Sequence, residues 1–115
     1  MKINDIELER SWQILLTNLE NVLGKKPADL NAILFLIGVQ ELGKIKNPFT
    51  KEEKQDLMHI ATCKLLSKLG YYQLVGQDQE GWPIWEPMTQ LPPLKLGEQE
   101  KLIKMQALDY FEDII

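Results

Sequence analysis

The sequence contains only one cysteine and one histidine among 115 residues. Because a single thiol cannot form an internal disulfide, Cys63 points to a reducing compartment, and we expect a cytoplasmic protein. The first residues, MKINDIELER, also lack the continuous apolar core of a secretory signal. This scarcity excludes a disulfide-built fold and leaves mostly carboxylates as ligands for any metal.

Long hydrophobic runs are missing too. The longest apolar run covers residues 32–37 and reaches Val39 only through Gly38. A helix that spans a bilayer needs roughly 20 apolar residues, so we expect no membrane segment.

A surplus of basic charge is also absent, since 13 Lys and Arg stand against 17 Asp and Glu, with a net charge of -4. The isoelectric point near 5.0 argues against nucleic acid as the default partner, because phosphate contacts need a basic face. The charge is uneven, with 8 basic and 5 acidic residues in 25–69 but 3 and 8 in 70–115. A local basic patch in the middle of the chain stays compatible with this balance.

What the chain does contain is ordinary for a globular domain, with 44% hydrophobic and 26% charged residues. We predict one domain over residues 1–115, of the α+β class and mainly helical. The sequence predicts helices near residues 5–23, 28–42, 51–69 and 98–113, and a β-hairpin near 71–88 between the third and fourth helices.

Apolar residues at the spacing of one helical face predict an amphipathic first helix that ends at Gly24. The residues of this face are Leu8, Trp12, Leu15, Leu16, Leu19, Val22 and Leu23. Pro27 is placed to begin the second helix, with Asp29 in its first turn. Apolar residues lie on all sides of that helix up to Leu42, which is typical of a helix that other elements cover on several sides.

A capping box predicts the start of the third helix, with Thr50 and Glu53 each accepting from a backbone amide of the other. Gly70 occupies the capping position at its end. Its expected buried stripe comprises Leu57, Met58, Ala61, Leu65 and Leu69. In the fourth helix one face carries Ile103, Ala107, Tyr110, Phe111 and Ile114, and we expect that face to pack on the core.

Residues 70–88, GYYQLVGQDQEGWPIWEPM, hold the only clear β pattern and two of the three tryptophans. Gly81 suits a left-handed turn position between two strands. A four-residue loop would pair Gln77 with Trp82, and a three-residue loop would pair Asp78 with Trp82. The sequence leaves both registers open.

Four potential metal ligands, Glu52, Asp56, His59 and Cys63, share one arc of the third helix, opposite its apolar stripe. One straight helix seldom wraps enough ligands around an ion, so we interpret the arc as a solvated polar face and expect no metal and no cofactor. His59 and Cys63 also have the spacing of a base and a nucleophile. No oxyanion hole or orienting group accompanies them, and we assign no catalytic residue.

Glu41 is a candidate binding residue because its position on the wheel falls among Leu30, Leu34 and Ile37. A carboxylate near a helix C-terminus opposes the dipole unless a partner such as Lys44 or Lys46 reaches it. The alternative is that Glu41 bends into solvent.

The hairpin aromatics Tyr71, Tyr72, Trp82 and Trp85 are the other candidate binding residues, since such side chains are enriched at interaction hot spots. Packing on the helices is the alternative for them. Only one face of a two-stranded ribbon covers a core, so some apolar surface should stay exposed. Pro83 and Pro87 each lack a ladder donor and mark the second strand as an edge.

Three helices followed by a hairpin resemble the order of a winged-helix domain, in which the last helix reads DNA and the hairpin is the wing. This resemblance implies a nucleic-acid-binding regulator. The chain departs from the pattern because residues 43–49 are longer than the usual joint of about 3–4 residues. Residues 51–56 carry net negative charge, and Asp78 and Glu80 would face phosphate.

Three strings are similar to a group of small bacterial proteins of uncharacterised function: GVQELG (38–43), FTKEEKQDLMHIA (49–61) and GYYQLVGQDQEGWP (70–83). The similarity covers residues 28–111 and implies a soluble single-domain protein, with no site residues to carry over.

These observations favour a non-enzymatic interaction or adaptor module that binds a protein partner, or itself as a homodimer, through the aromatic hairpin. A hairpin with an exposed edge is marginal alone, which makes a dimer plausible. The alternative is a winged-helix-like nucleic-acid regulator. A third hypothesis is a small-molecule binder or enzyme that uses Glu41 or His59.

Overall fold

The computed structural model of the protein describes residues 4–44 and 48–114. In chain order these residues form α1 (Asp5–Leu23), α2 (Leu30–Leu42), α3 (Lys51–Ser67), β1 (Tyr72–Gln77), β2 (Pro83–Pro87) and α4 (Leu96–Ile114). The two strands form an antiparallel hairpin between α3 and α4. The predicted α+β, mainly helical fold is therefore confirmed.

The chain divides into two compact units. The terminal unit contains α1 and α4, and the central unit contains α2, α3 and the hairpin. The single domain over residues 1–115 stays a prediction. None of the helices described is both long enough and apolar enough to cross a membrane.

In the terminal unit, α1 begins at an Asn4 cap whose side chain accepts from the Glu7 amide at 2.8 Å. It ends at Gly24 with φ of 85°, as predicted. Five residues of the predicted stripe are buried, namely Leu8, Trp12, Leu15, Leu16 and Leu19. Val22 and Leu23 were expected there but are 72% and 46% exposed, because they lie in the last turn beyond the packed part of the helix.

The fourth helix starts at Leu96, two residues earlier than predicted. On its predicted face Ala107 is fully buried, and Ile103, Tyr110 and Phe111 are half-buried. The side chain of Ile114 lies outside the part of the chain that is described. Lys101 forms an ion pair with Asp5 at 2.7 Å, and Lys104 lies 5.4 Å from the centre of the Trp12 ring, so α4 packs on α1.

In the central unit every apolar residue of α2 is buried or half-buried, which agrees with its continuous apolar pattern. The helix begins at Leu30 rather than at residue 28, so Asp29 precedes it and Pro27 is buried in the preceding segment. Gly38 packs directly on the backbone of Leu57, which sets a close approach of α2 to α3.

The predicted capping box of α3 is present. The Glu53 amide donates to Thr50 Oγ1 at 3.0 Å, and the Thr50 amide donates to Glu53 Oε1 at 2.9 Å. The buried residues of α3 are Leu57, Ile60, Ala61, Cys63, Leu65 and Leu66. The helix ends at Ser67, two residues before the predicted end, so Leu69 leaves the buried stripe and is 44% exposed.

Candidate functional site

The turn of the hairpin has three residues, which selects one of the two registers that the sequence left open. The Asp78 amide donates to the Trp82 carbonyl at 2.9 Å, and the Gly81 amide donates to the Asp78 carbonyl at 3.0 Å. Asp78 Oδ1 accepts from the amides of Glu80 and Trp82, both at 2.9 Å. Gly81 has φ of 86°, as a type I turn followed by a left-handed residue requires.

The two outer edges of the hairpin differ in their hydrogen-bonding groups. The Met88 amide donates to the Tyr71 carbonyl at 2.9 Å, so residues 82, 84, 86 and 88 point their backbone groups toward β1. Pro83 and Pro87 therefore lie at positions whose backbone groups point away from β1. The prolines remove donors from the outer edge of β2 rather than from the ladder, which corrects their predicted role.

The same alternation defines the free edge of β1. Tyr71 and Gln73 point toward β2, so Tyr72 and Leu74 point their backbone groups away from it. A β-bulge follows, because Leu74 pairs with Trp85 and Gly76 pairs with Ile84, which leaves Val75 as the extra residue.

The four predicted aromatic site residues all lie in the hairpin region, and all are half-buried. They are Tyr71, Tyr72, Trp82 and Trp85. The hairpin packs on α3, mainly through β1. Nε1 of Trp85 is buried and has no hydrogen-bond partner in the described residues. Part of each of these side chains is therefore packed, and part is accessible.

The exposed apolar surface of the hairpin consists instead of aliphatic side chains. Leu74 is 56% exposed, Val75 49%, Ile84 43% and Met88 56%. We call these four residues the aliphatic hairpin surface. Leu74 shares a face with its partner Trp85, and Ile84 lies on the other face, so apolar side chains are exposed on both faces of the hairpin.

A cleft of about 330 Å³ lies between the first turns of α3 and the tip of the hairpin. Its lining is acidic, with Trp82, Pro83 and Ile60 as its apolar part. The carboxylates come from Glu53, Asp56, Asp78 and Glu80, and His59 also lines the cleft. The structure thus brings two residues of the predicted polar arc together with the acidic hairpin tip.

The cleft disfavours an anionic ligand, because its carboxylates would face any phosphate group. Two of those carboxylates also have structural roles, since Glu53 belongs to the capping box and Asp78 holds the turn. In the described residues no group of three or more His, Cys, Asp or Glu side chains is arranged to hold a metal ion.

Lys44 holds the hairpin tip from the end of α2. Its Nζ donates to the Glu80 carbonyl, and a Cβ on Gly81 would lie 2.7 Å from the same nitrogen. Lys44 was a predicted partner of Glu41, but the structure uses it here. The other predicted partner, Lys46, lies outside the described residues.

Glu41 forms an ion pair with Lys64 of α3, with 3.8 Å between Oε1 and Nζ. The Glu41 side chain is 24% exposed and that of Lys64 is 41% exposed, so the pair lies at the rim of the contact between α2 and α3. A partly exposed pair of this kind contributes little to stability. Glu41 lies apart from the cleft, whose lining residues come from α3 and the hairpin.

His59 and Cys63 meet as their spacing predicts, with 3.5 Å between Nε2 and Sγ. Cys63 is fully buried, whereas the sequence placed it on a solvated face. The prediction failed because a second side of α3 is packed too, and Cys63 lies on it three residues from the buried Ile60 and Leu66. Burial raises the pKa of Cys63 to about 11, so the thiol stays protonated and is a poor nucleophile.

A wider depression of about 550 Å³ in the terminal unit is lined by both acidic and basic residues. Asp5 and Lys101 from this lining pair with each other. Its mixed charges favour no single class of ligand.

Comparison of the chain with protein-family models, with curated proteins and with solved structures found no match. The resemblance to small bacterial proteins and to winged-helix domains therefore stays a prediction.

Sequence reasoning singled out the aromatic residues of the hairpin but not its aliphatic hairpin surface. The sequence did contain a signal for the exposure of Ile84. Ile84 and Trp85 are neighbours on one strand, and neighbouring side chains on a strand point to opposite faces. The acidic cleft was missed because its residues lie on two elements that are distant in sequence.

Proposed function

We propose that this protein is a protein-interaction module whose hairpin binds a protein partner or a second copy. The observation that carries the proposal is the aliphatic hairpin surface, with Leu74, Val75, Ile84 and Met88 each 43–56% exposed. Transfer of such side chains out of water yields roughly 25 cal/mol per Å², so a partner gains stability by covering them.

The half-buried aromatics support this proposal. The hairpin packs on α3, and Trp82, Trp85, Tyr71 and Tyr72 are each half-buried, so part of each side chain stays accessible. A hairpin that is held on a helix presents its outer residues in a fixed arrangement, which lowers the entropy cost of binding.

Capture of partners from a lysate of the source organism tests the proposal, with a double variant that carries Leu74→Gln and Ile84→Gln. Both side chains are exposed, so the substitutions should leave the fold intact. We expect partners that the wild-type protein retains to be lost from this variant. Mass spectrometry of the bound fractions is the measurement.

Ile14→Gln in α1 is the matched control, because Ile14 is 55% exposed and Leu74 is 56% exposed. The control should retain every partner. Equal capture by the wild type, the double variant and the control would show that the hairpin is not the binding surface.

The acidic cleft argues against the nucleic-acid alternative. In a winged-helix domain the start of α3 and the hairpin would approach phosphates and bases, and here Asp56, Asp78 and Glu80 surround that place. The buried Cys63 likewise gives no support to an enzyme built on His59.

A further inference from the structure

We propose that the hairpin pairs with a second copy of this chain through the outer edge of β1, which forms a four-stranded antiparallel sheet across a twofold axis. This inference rests on the proposed function, because it names the partner and the pairing mode of the same hairpin.

The first argument is the difference between the two edges. At the outer edge of β2 the pairing positions are Pro83, Trp85 and Pro87, and only Trp85 retains an amide donor. At the outer edge of β1, Tyr72 and Leu74 both keep a donor and an acceptor. Only β1 therefore offers a complete set of groups to another strand.

The second argument is accessibility. Five of the six residues of β1 are exposed, and only Tyr72 is half-buried. No third strand pairs with the hairpin in the described part of the chain. A hairpin of two strands is marginal in water, and additional strands stabilise such a sheet.

The third argument is charge, which allows a second copy of the chain to be the partner. The sequence of β1, YQLVGQ, contains no charged residue and no proline. Edge strands that must avoid each other usually carry Pro, Lys or another charged residue. Two copies of β1 can approach without repulsion between directly opposed side chains.

A specific register follows from the direction of the backbone groups. With Gln73 on the twofold axis, Tyr72 of one copy lies opposite Leu74 of the other, and each such pair exchanges both N–H···O bonds. Opposed residues share a face, so the tyrosine ring covers the exposed leucine, which is a favourable aromatic–aliphatic pair. The bulge at Val75 confines the pairing to the segment before it.

Sedimentation velocity of the full chain, from micromolar to millimolar concentration at physiological salt, measures the pairing. We expect a monomer–dimer equilibrium, and we expect Leu74→Lys to raise the dimer dissociation constant about tenfold or more, because it places two charges at the new strand contact. Ile14→Lys in α1 is the matched control, since Ile14 is 55% exposed, lies outside the hairpin and should keep the dimer.

Amide hydrogen exchange of the wild-type protein gives a second measurement that needs no variant. The amides of Tyr72 and Leu74 should become protected as concentration rises, whereas the Trp85 amide on the other edge should not. A chain that stays monomeric throughout overturns the inference and leaves partner capture to decide the proposed function. A dimer that a further variant, Ile84→Lys, dissociates and Leu74→Lys does not also overturns the β1 pairing, yet it retains the hairpin as a binding surface.

Discussion

Gly38 is the residue that lets α2 and α3 approach each other in the central unit. A Cβ at this position would lie 2.6 Å from the carbonyl carbon of Leu57 and 2.8 Å from its Cβ. Two of the atoms that such a Cβ would meet belong to the backbone, so they cannot move aside as the end of a side chain can.

We expect Gly38→Ala to destabilise the protein by about 1–3 kcal/mol, because overpacking outweighs the helix propensity of alanine. Gly97→Ala in α4 is the control, since a Cβ at Gly97 would meet nothing within 4 Å. That variant should be neutral or slightly more stable. Urea unfolding of both variants measures the effect. Equal free energies of unfolding for Gly38→Ala and Gly97→Ala would mean that α2 and α3 can separate at no cost.

At the scale of the element, the hairpin turn depends on one carboxylate. Asp78 Oδ1 accepts two amides, and its backbone closes the turn with Gly81 and Trp82. The aliphatic hairpin surface and the β1 edge are ordered only while this turn keeps the strands in register.

We expect Asp78→Ala to weaken the hairpin by about 1 kcal/mol, since both amides lose their acceptor and return to water. Asp78→Asn keeps an acceptor oxygen at the same position and should cost less. Amide exchange of Glu80 and Trp82 is the measurement. Unchanged exchange in Asp78→Ala would show that Gly81 alone determines the turn.

At the scale of the whole molecule, the pKa of Cys63 links stability to alkaline pH. The folded protein holds the thiol proton up to about pH 11, whereas an exposed thiol has the ordinary value of 9.0. Between these values the folded state binds more protons than the unfolded state, so stability falls as pH rises. The stability linked to the buried, protonated Cys63 thiol is fully present below pH 9 and is lost by pH 11.

Urea unfolding below pH 9 and at about pH 11 tests this link, with Cys63→Ala as the comparison. The alanine variant lacks the titrating group, so the wild type should lose on the order of 2 kcal/mol more between the two conditions. A parallel decline in both proteins would place the pH dependence in other groups, such as lysines and tyrosines.

Local signals in the sequence were sufficient for the fold. The capping box of Thr50 and Glu53, and Gly24 at the end of α1, act between near neighbours, so the chain order alone reveals them. Packing between elements was not predictable in the same way. Asp56 and Asp78 meet at one cleft because α3 packs on the hairpin, and periodicity does not specify which helix face a hairpin covers.

The division of the chain also bears on how the protein emerges from the ribosome. The elements of the central unit are consecutive, whereas α1 and α4 of the terminal unit lie on either side of them in the chain. The ribosome therefore synthesises every element of the central unit before it reaches α4. Throughout that interval Trp12 and its apolar neighbours in α1 lack the helix that completes their unit, so their apolar side chains stay open to a chaperone.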